Sequence, residues 1–320
     1  MSAGSAGALH FSDTLAARVA ERRSQVVLGL DPHPAGLWPD AVAAATGAGD
    51  ERSAGGGPDA ARLTGLAVRA HCRAAIEAAG PACVAVKPQL ACFERLGAVG
   101  FEALADVVAA AREQGLLVIA DGKRGDVPVT ARAYADALVG ETEGPFGTLA
   151  GLGADAFTAN PLLGRDSLEP LLEAAAAAGA GCFLLVRTSN PGAADVQDLD
   201  TPDGPLYERL AALADGLGAN AVGDCGLSDV GAVVGATRPE LLGRLRELMP
   251  RAILLLPGVG AQGGAADQLG PAFAPHPAAG LVSASRSIVD AHAERGGEPA
   301  AAAAAAAEEL RAATWSIADA

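Results

Sequence analysis

Residues 116–138, LLVIADGKRGDVPVTARAYADAL, pass from an unbroken apolar run, through a knot of charge, into a helix-like pattern. Five successive apolar residues, Leu116 to Ala120, suit a strand covered on both faces, since a strand with one wet face would alternate. Asp121 and Lys123 follow at once. They are two apart, so in extended chain they point the same way. Asp126 lies three residues further on, after a glycine.

The same succession recurs along the chain. Short apolar runs stand at VVLGL (26–30), CVAV (83–86), DAFTA (155–159), CFLLV (182–186), VGAVVG (230–235), AILLL (252–256) and GLVSA (280–284). VGDCG (222–226) competes for the sixth place. Helical patterns such as GFEALADVVAAAREQG, DSLEPLLEAAAAAG and LYERLAALADGLG fill the intervals. Strand–helix alternation predicts a parallel sheet. Eight strands in one chain of 320 residues favour a closed (β/α)8 TIM barrel over an open sheet. The whole chain, 1–320, reads as one such domain. SDTLAARVAERR predicts an extra helix over about 11–23, with Ser12 as its N-cap. The Gly-rich stretch over about 45–58 reads as a surface insertion. EPAAAAAAAAEELRAAT reads as the eighth barrel helix with Pro299 in its first turn, a frayed tail being the alternative.

Polar residues of chemical use fall just beyond the runs: Asp31, Lys87, Asp121 with Lys123, Asn160, Ser189, Thr237, Pro257 with Gly258, and Ser285 with Arg286. In a barrel these positions converge on the C-terminal mouth, where active sites lie. Lys87 projects from the strand neighbouring Asp121 and Lys123, so two ammonium groups and two carboxylates can alternate. A salt-bridge network at the rim is the plainer alternative. It loses ground because burying four charges without use is costly.

Composition narrows the function. A net charge of −15 argues against nonspecific binding to nucleic acid or to an anionic membrane. It requires any cations that hold an acidic substrate to be local. The five cysteines form no CxxC pair and the five histidines no HxxxH pair, so no transition-metal site is expected. Buried free thiols suit a reducing compartment. With neither a signal-peptide core nor a clean membrane span, the expected location is cytoplasmic.

DGKRGDVPVTA resembles the DxKxxD signature of the orotidine 5′-phosphate decarboxylase superfamily. The flanking motifs LGLDPHP (28–34), AVKPQLACFERLG (85–97), NPLLGRDSLEP (160–170), RTSNPG (187–192), VVGATRPE (233–240), LLPGVGAQGG (255–264) and SASRSIV (283–289) resemble its longer bacterial, type 2 branch. They stand in family order over about residues 11 to 290. Departures from the usual pattern are Val127, Pro128, Cys92 and Leu162, none of which removes a catalytic group.

The resemblance implies decarboxylation of orotidine 5′-monophosphate to UMP and CO2 in pyrimidine biosynthesis, without metal or cofactor. It implies that Lys123 stabilises the carbanion at C6 and protonates it, with Lys87 as the alternative proton source. Lys87 would also hold the carboxylates and touch the ribose. Asp121 would lie beside the leaving carboxylate. Asp126 would complete the array and, with Thr130, reach into the site of a neighbouring subunit, making a homodimer the active unit. Asp31 would bind ribose hydroxyls, Ser189 the pyrimidine edge, and Gln262 and Arg286 the 5′-phosphate, with GVGAQGG backbone amides close by. Asn160 and Pro257 complete the substrate-binding set, and residues 189 to about 201 would close as a lid. Asp31, Ser189 and GVGAQGG also have plainer readings as turn residues. Two functional alternatives stand beside this one. The first is a Mg2+-dependent sugar-phosphate lyase of the same superfamily, such as a hexulose-phosphate synthase or a ketogulonate-phosphate decarboxylase. The second is a non-catalytic phosphate-binding barrel.

Overall fold

The computed structural model describes residues 10–47, 58–260 and 262–319; most of the Gly-rich stretch at 45–58 lies outside them. Eight parallel strands close a barrel: β1 (Val26–Leu30), β2 (Ala85–Pro88), β3 (Leu117–Arg124), β4 (Ala156–Ala159), β5 (Gly181–Arg187), β6 (Ser228–Val234), β7 (Ala252–Pro257) and β8 (Gly280–Ala284). Each pairs with its neighbours in sequence, and β8 closes on β1 through Val26↔Val282. The eight apolar runs thus become the eight strands. VGDCG (222–226) is not the sixth; only Val222 makes an isolated bridge, to Ser228.

Along its apolar run every strand is buried on both faces, which is why the sequence shows runs rather than alternation. The alternation survives in where each side chain goes. Val27, Leu117, Ile119, Phe183, Ile253, Leu255 and Leu281 pack together inside the barrel. Their neighbours Val26, Leu28, Val118, Ala120, Leu184, Leu254 and Val282 pack outward against the helices. Ala-rich helices allow that outer layer to approach closely: Ala75, Ala111 and Ala307 are fully buried.

The extra helix, Phe11–Arg22, plugs the bottom of the barrel with Phe11, Leu15, Ala16 and Val19. Phe11 meets Phe183 edge to face at 6.0 Å. A Cβ on Gly181 would stand 2.4 Å from the Phe11 ring, so only glycine lets the plug seat. Ser12 is not the N-cap: His10 holds that position without a side-chain cap. The capping carboxylate comes instead from β6. Asp229 accepts from the Ser12 amide and hydroxyl, each at 2.8 Å, and pairs with His10 Nδ1 at 2.6 Å. The C-terminal helix, Pro299–Ala318, starts at Pro299 as the sequence suggests. A hairpin, Glu141–Gly144 with Gly147–Ala150, interrupts the helix–strand step before β4 and holds Phe146 fully exposed at its turn. Its sequence, ETEGPFGTLA, carries no apolar run that would reveal it.

Candidate active site

The inner register of the strands, followed upward, leads from apolar to charged residues. Ala85 is followed by Lys87 on β2, Ile119 by Asp121 on β3, and Ala156 by Thr158 and then Asn160 at the end of β4. Lys87, Asp121, Thr158 and Asn160 line a cavity of about 530 Å³ at the C-terminal mouth, together with Asp31, Ser189, Pro257, Gln262 and Arg286. The volume lies within the range usual for small-molecule sites.

Asp121 organises the floor. Its Oδ2 accepts from Lys87 Nζ at 2.6 Å and from Gln89 Nε2 at 3.3 Å. Its Oδ1 accepts from Lys123 Nζ at 2.6 Å and from the Thr158 hydroxyl at 2.9 Å. Lys87 and Asp121 are 7% and 5% exposed. Burial alone would raise the Asp121 carboxyl, but the two ammonium groups hold it well below the usual carboxylate range. Burial likewise opposes the Lys87 ammonium, and Asp121 and Asp31 outweigh it, so its pKa is raised. Both groups are therefore charged at neutral pH.

Lys123 joins Asp121 by a route the sequence does not show. The β3–β4 ladder shifts between Ala120↔Phe157 and Arg124↔Ala159. Lys123 stands at the bulge with φ +50, in the left-handed region that few non-glycine residues occupy. The side chains of Asp121 and Lys123 do meet, through a bulge rather than through regular extended chain.

Asp126 and Thr130 are not brought to this cavity. Asp126 turns its Oδ1 onto the Val127 amide at 2.7 Å. Thr130 is exposed in the first turn of helix Pro128–Leu138. The two-lysine, two-carboxylate array expected from the motif therefore does not form within the chain. The second carboxylate facing Lys87 is Asp31, at the end of β1.

On the far side, Arg286 opens a short helix, Arg286–Val289. A Cβ on Gly29 would lie 2.7 Å from Ser285 Cβ, so the glycine lets the end of β8 crowd against β1. The GVGAQGG loop has Gly258, Gly260 and Gly263 at positive φ. Its Gly260, Gly263 and Gly264 amides bond within the loop, so they are spent on the turn and not free for a ligand. The Gln262 side chain, standing over Gly258, remains. Asn160 Oδ1 accepts from the Leu162 amide at 3.1 Å, which leaves its N–H groups as donors.

The stretch after β5 arches over the cavity with Ser189, Asn190, Ala193, Val196 and Gln197. Its ends are pinned. Buried Arg187 forks onto both oxygens of Asp198, at 2.7 and 3.0 Å. Gln197 Oε1 accepts from the Thr188 amide at 2.8 Å. Thr237, placed beyond the sixth run in the sequence, donates to the Ser189 carbonyl at 3.3 Å.

Several lining residues escape the motif reading. Gln89 and Thr158 hold Asp121, while Leu185, Val233 and Leu255 give the cavity an apolar wall. The inward alternation from Ala156 points to Thr158, but a single threonine in an apolar run carries no motif. Among the described residues no group of three His, Cys, Asp or Glu side chains stands close enough to hold a metal ion.

Comparison with known proteins gives a consistent picture. The profile of the "Orotidine 5′-phosphate decarboxylase / HUMPS family" matches residues 24–305. The chain is 46% identical over 232 residues to an orotidine 5′-phosphate decarboxylase of Rhodopirellula baltica, covering 72% of this chain and 75% of that protein. It is 42% identical over 279 residues to the corresponding protein of Deinococcus radiodurans, covering 87% and 88%. The structure of Leishmania donovani OMP decarboxylase superposes with a TM-score of 0.69 at 31% identity, covering 95% of this chain and 99% of that one.

Proposed function

Because the chain belongs to the orotidine 5′-phosphate decarboxylase / HUMPS family, we propose how its own residues carry out the family reaction. The enzyme decarboxylates orotidine 5′-monophosphate to UMP and CO2 in pyrimidine biosynthesis. The metal-dependent sugar-phosphate lyase reading is not favoured, since the relatives at 37–46% identity carry the decarboxylase name.

Breaking the bond from C6 to the carboxylate leaves an electron pair at a vinyl carbon, with no ordinary sink. Fixed positive charge must hold it. Lys123, held by Asp121 at the cavity floor, supplies that charge. An ammonium about 4 Å from a developing negative charge stabilises it by roughly 4 kcal/mol at an effective dielectric near 20. The Lys123 ammonium then gives one proton to C6 and recovers it from solvent. Asp121 would lie beside the leaving carboxylate, and Leu185 and Val233 offer the departing neutral CO2 an apolar surface. Lys87 and Asp31 hold the ribose, Asn160 and Ser189 the base, Pro257 packs beside it, and Gln262 and Arg286 take the 5′-phosphate. Arginine suits that role because its planar fork donates in pairs.

The observation that carries this reading is the single carboxylate of Asp121 held between two lysines at the floor of the cavity. The test is Lys123→Ala, assayed by UMP release. Turnover should fall by about three orders of magnitude or more, and near-normal turnover would refute the assignment. Activity that persists in EDTA would further separate this chemistry from a Mg2+-dependent lyase.

Asp126 and Thr130 serve the site of a second copy in a homodimer. Val127 and Val129, which flank them, are 56% and 86% exposed, and Leu162 and Leu163 are also exposed. Large apolar side chains left in water between two such polar residues suit a face that pairs. Cytoplasmic residence is the setting we assign: all five cysteines are free, and no described helix is long and apolar enough to cross a membrane. The net charge of −15 speaks against a nucleic-acid partner.

A further inference from the structure

We propose that Thr158 is a positioning residue for the decarboxylation, fixing at once the backbone of Lys123 and the carboxylate of Asp121; this rests on the roles given to those two residues above. The need arises in the ladder. Between the pairs Ala120↔Phe157 and Arg124↔Ala159, β3 advances four residues while β4 advances two. Thr158 is the one β4 residue opposite the surplus. Lys123, within it, has φ +50 and no strand partner for its amide.

Thr158 meets that need with one hydroxyl. Its Oγ1 accepts from the Lys123 amide at 2.8 Å and donates to Asp121 Oδ1 at 2.9 Å. The same Oδ1 accepts from Lys123 Nζ at 2.6 Å. The two ends of Lys123 are thus joined through Thr158 and Asp121 in a closed ring. The polarity of the ring is fixed. An amide only donates, so the single hydroxyl proton is forced onto the carboxylate. Thr158 is 1% exposed, so water has little room to replace it. Valine has nearly the same shape and can do neither job. It would leave the Lys123 amide unpaired, Asp121 short of one donor, and nothing to hold a left-handed backbone at Lys123.

Binding and chemistry should separate in the response. Thr158 lies at the floor, whereas the proposed phosphate contacts lie across the cavity, so substrate should still bind while the ammonium sits off its mark. Misplacement by about 1 Å can cost about a hundredfold in rate. The experiment compares Thr158→Val, Thr158→Ser and Lys123→Ala in one UMP-release assay, with amide hydrogen exchange of the Lys123 peptide. We expect kcat of Thr158→Val to fall about a hundredfold with KM within about threefold. Serine should recover all but about fivefold, and protection of the Lys123 amide should be lost in the valine variant and kept in the serine variant. A valine variant with kcat within about threefold of the parent, or one whose loss serine does not restore, overturns the proposal. Should the valine variant not fold, Thr158→Ala, which also lacks the hydroxyl, is read by the same criteria. Lys123→Ala keeps the two failures apart: an active Lys123→Ala sinks the reading of the site, while an inactive one beside an active valine variant sinks only the role of Thr158.

Discussion

Replacing Asp121 with Asn keeps the shape of the side chain and removes its charge and half of its accepting capacity. Four donors converge on the carboxylate: Lys87 and Gln89 on one oxygen, Lys123 and Thr158 on the other. An amide has one oxygen, so its NH2 faces two donors whichever way it is turned. Two hydrogen bonds go, at least one of them to an ammonium and worth ~1.5–3 kcal/mol. Lys87 is left buried with only the more exposed Asp31 near it. The total should be ~3–5 kcal/mol, the range for removing one partner of a buried ion pair. At roughly 2.1 cal/mol/K per residue, a chain of 320 residues converts this into a fall in Tm of about 4–7 °C. The sign of the pH dependence follows from both partners. The Asp121 carboxyl is depressed in the fold, so its contribution is present above the ordinary value of 3.8 and fades as pH falls below it. The Lys87 ammonium is raised, so its contribution is full below 10.5 and fades as pH climbs through the higher folded value. Calorimetry across pH should therefore show a deficit in Asp121→Asn that is level from about pH 4 to about pH 10 and narrows on either side. A variant that melts within about 1 °C of the parent at pH 7 would refute the reasoning. So would a deficit of the same size at pH 7 and pH 11.

Arg286→Ala should raise KM by about 10- to 100-fold, the loss of a charge-assisted contact to phosphate, and steady-state kinetics with added guanidinium ion would show part of the rate restored. An equal mixture of Lys123→Ala and Asp126→Ala, each inactive alone, should regain about a quarter of parental turnover if subunits reassort at random and each site draws on both copies; no recovery after exchange is confirmed by native mass spectrometry would argue against shared sites. His10 should make docking of the plug helix sensitive to pH. Its hydrogen bond to Asp229 raises its pKa above 6.5, so the contribution is full below 6.5 and is lost as pH rises through the raised value. The gap in Tm between parent and His10→Ala should accordingly shrink from pH 6 to pH 9, and a constant gap would count against it.

The barrel was readable because burying both strand faces concentrates apolar residues into runs that local composition reveals. Most of the mouth was readable for a related reason, since the first polar residue after each run falls at the top of its strand. What escaped depends on pairing. Nothing in DGKRGD shows that β3 carries two surplus residues opposite Thr158, because a bulge is a relation between strands. Spacing alone also set Asp126 beside Lys123, whereas the turn after β3 sends its carboxylate to the Val127 amide. Ser12 satisfied the local rule for a cap and lost to Asp229, a carboxylate 217 residues away in the chain.

That distant cap has a consequence for biosynthesis. Phe11–Arg22 leaves the ribosome before either of its partners in the barrel, yet a lone helix of 12 residues is marginal in water. Its capping carboxylate and the aromatic ring it seats against are made only when Asp229 and Phe183 are translated. Until then this helix has no floor to close, and nascent-chain protease protection of that segment should appear only after β6 has emerged.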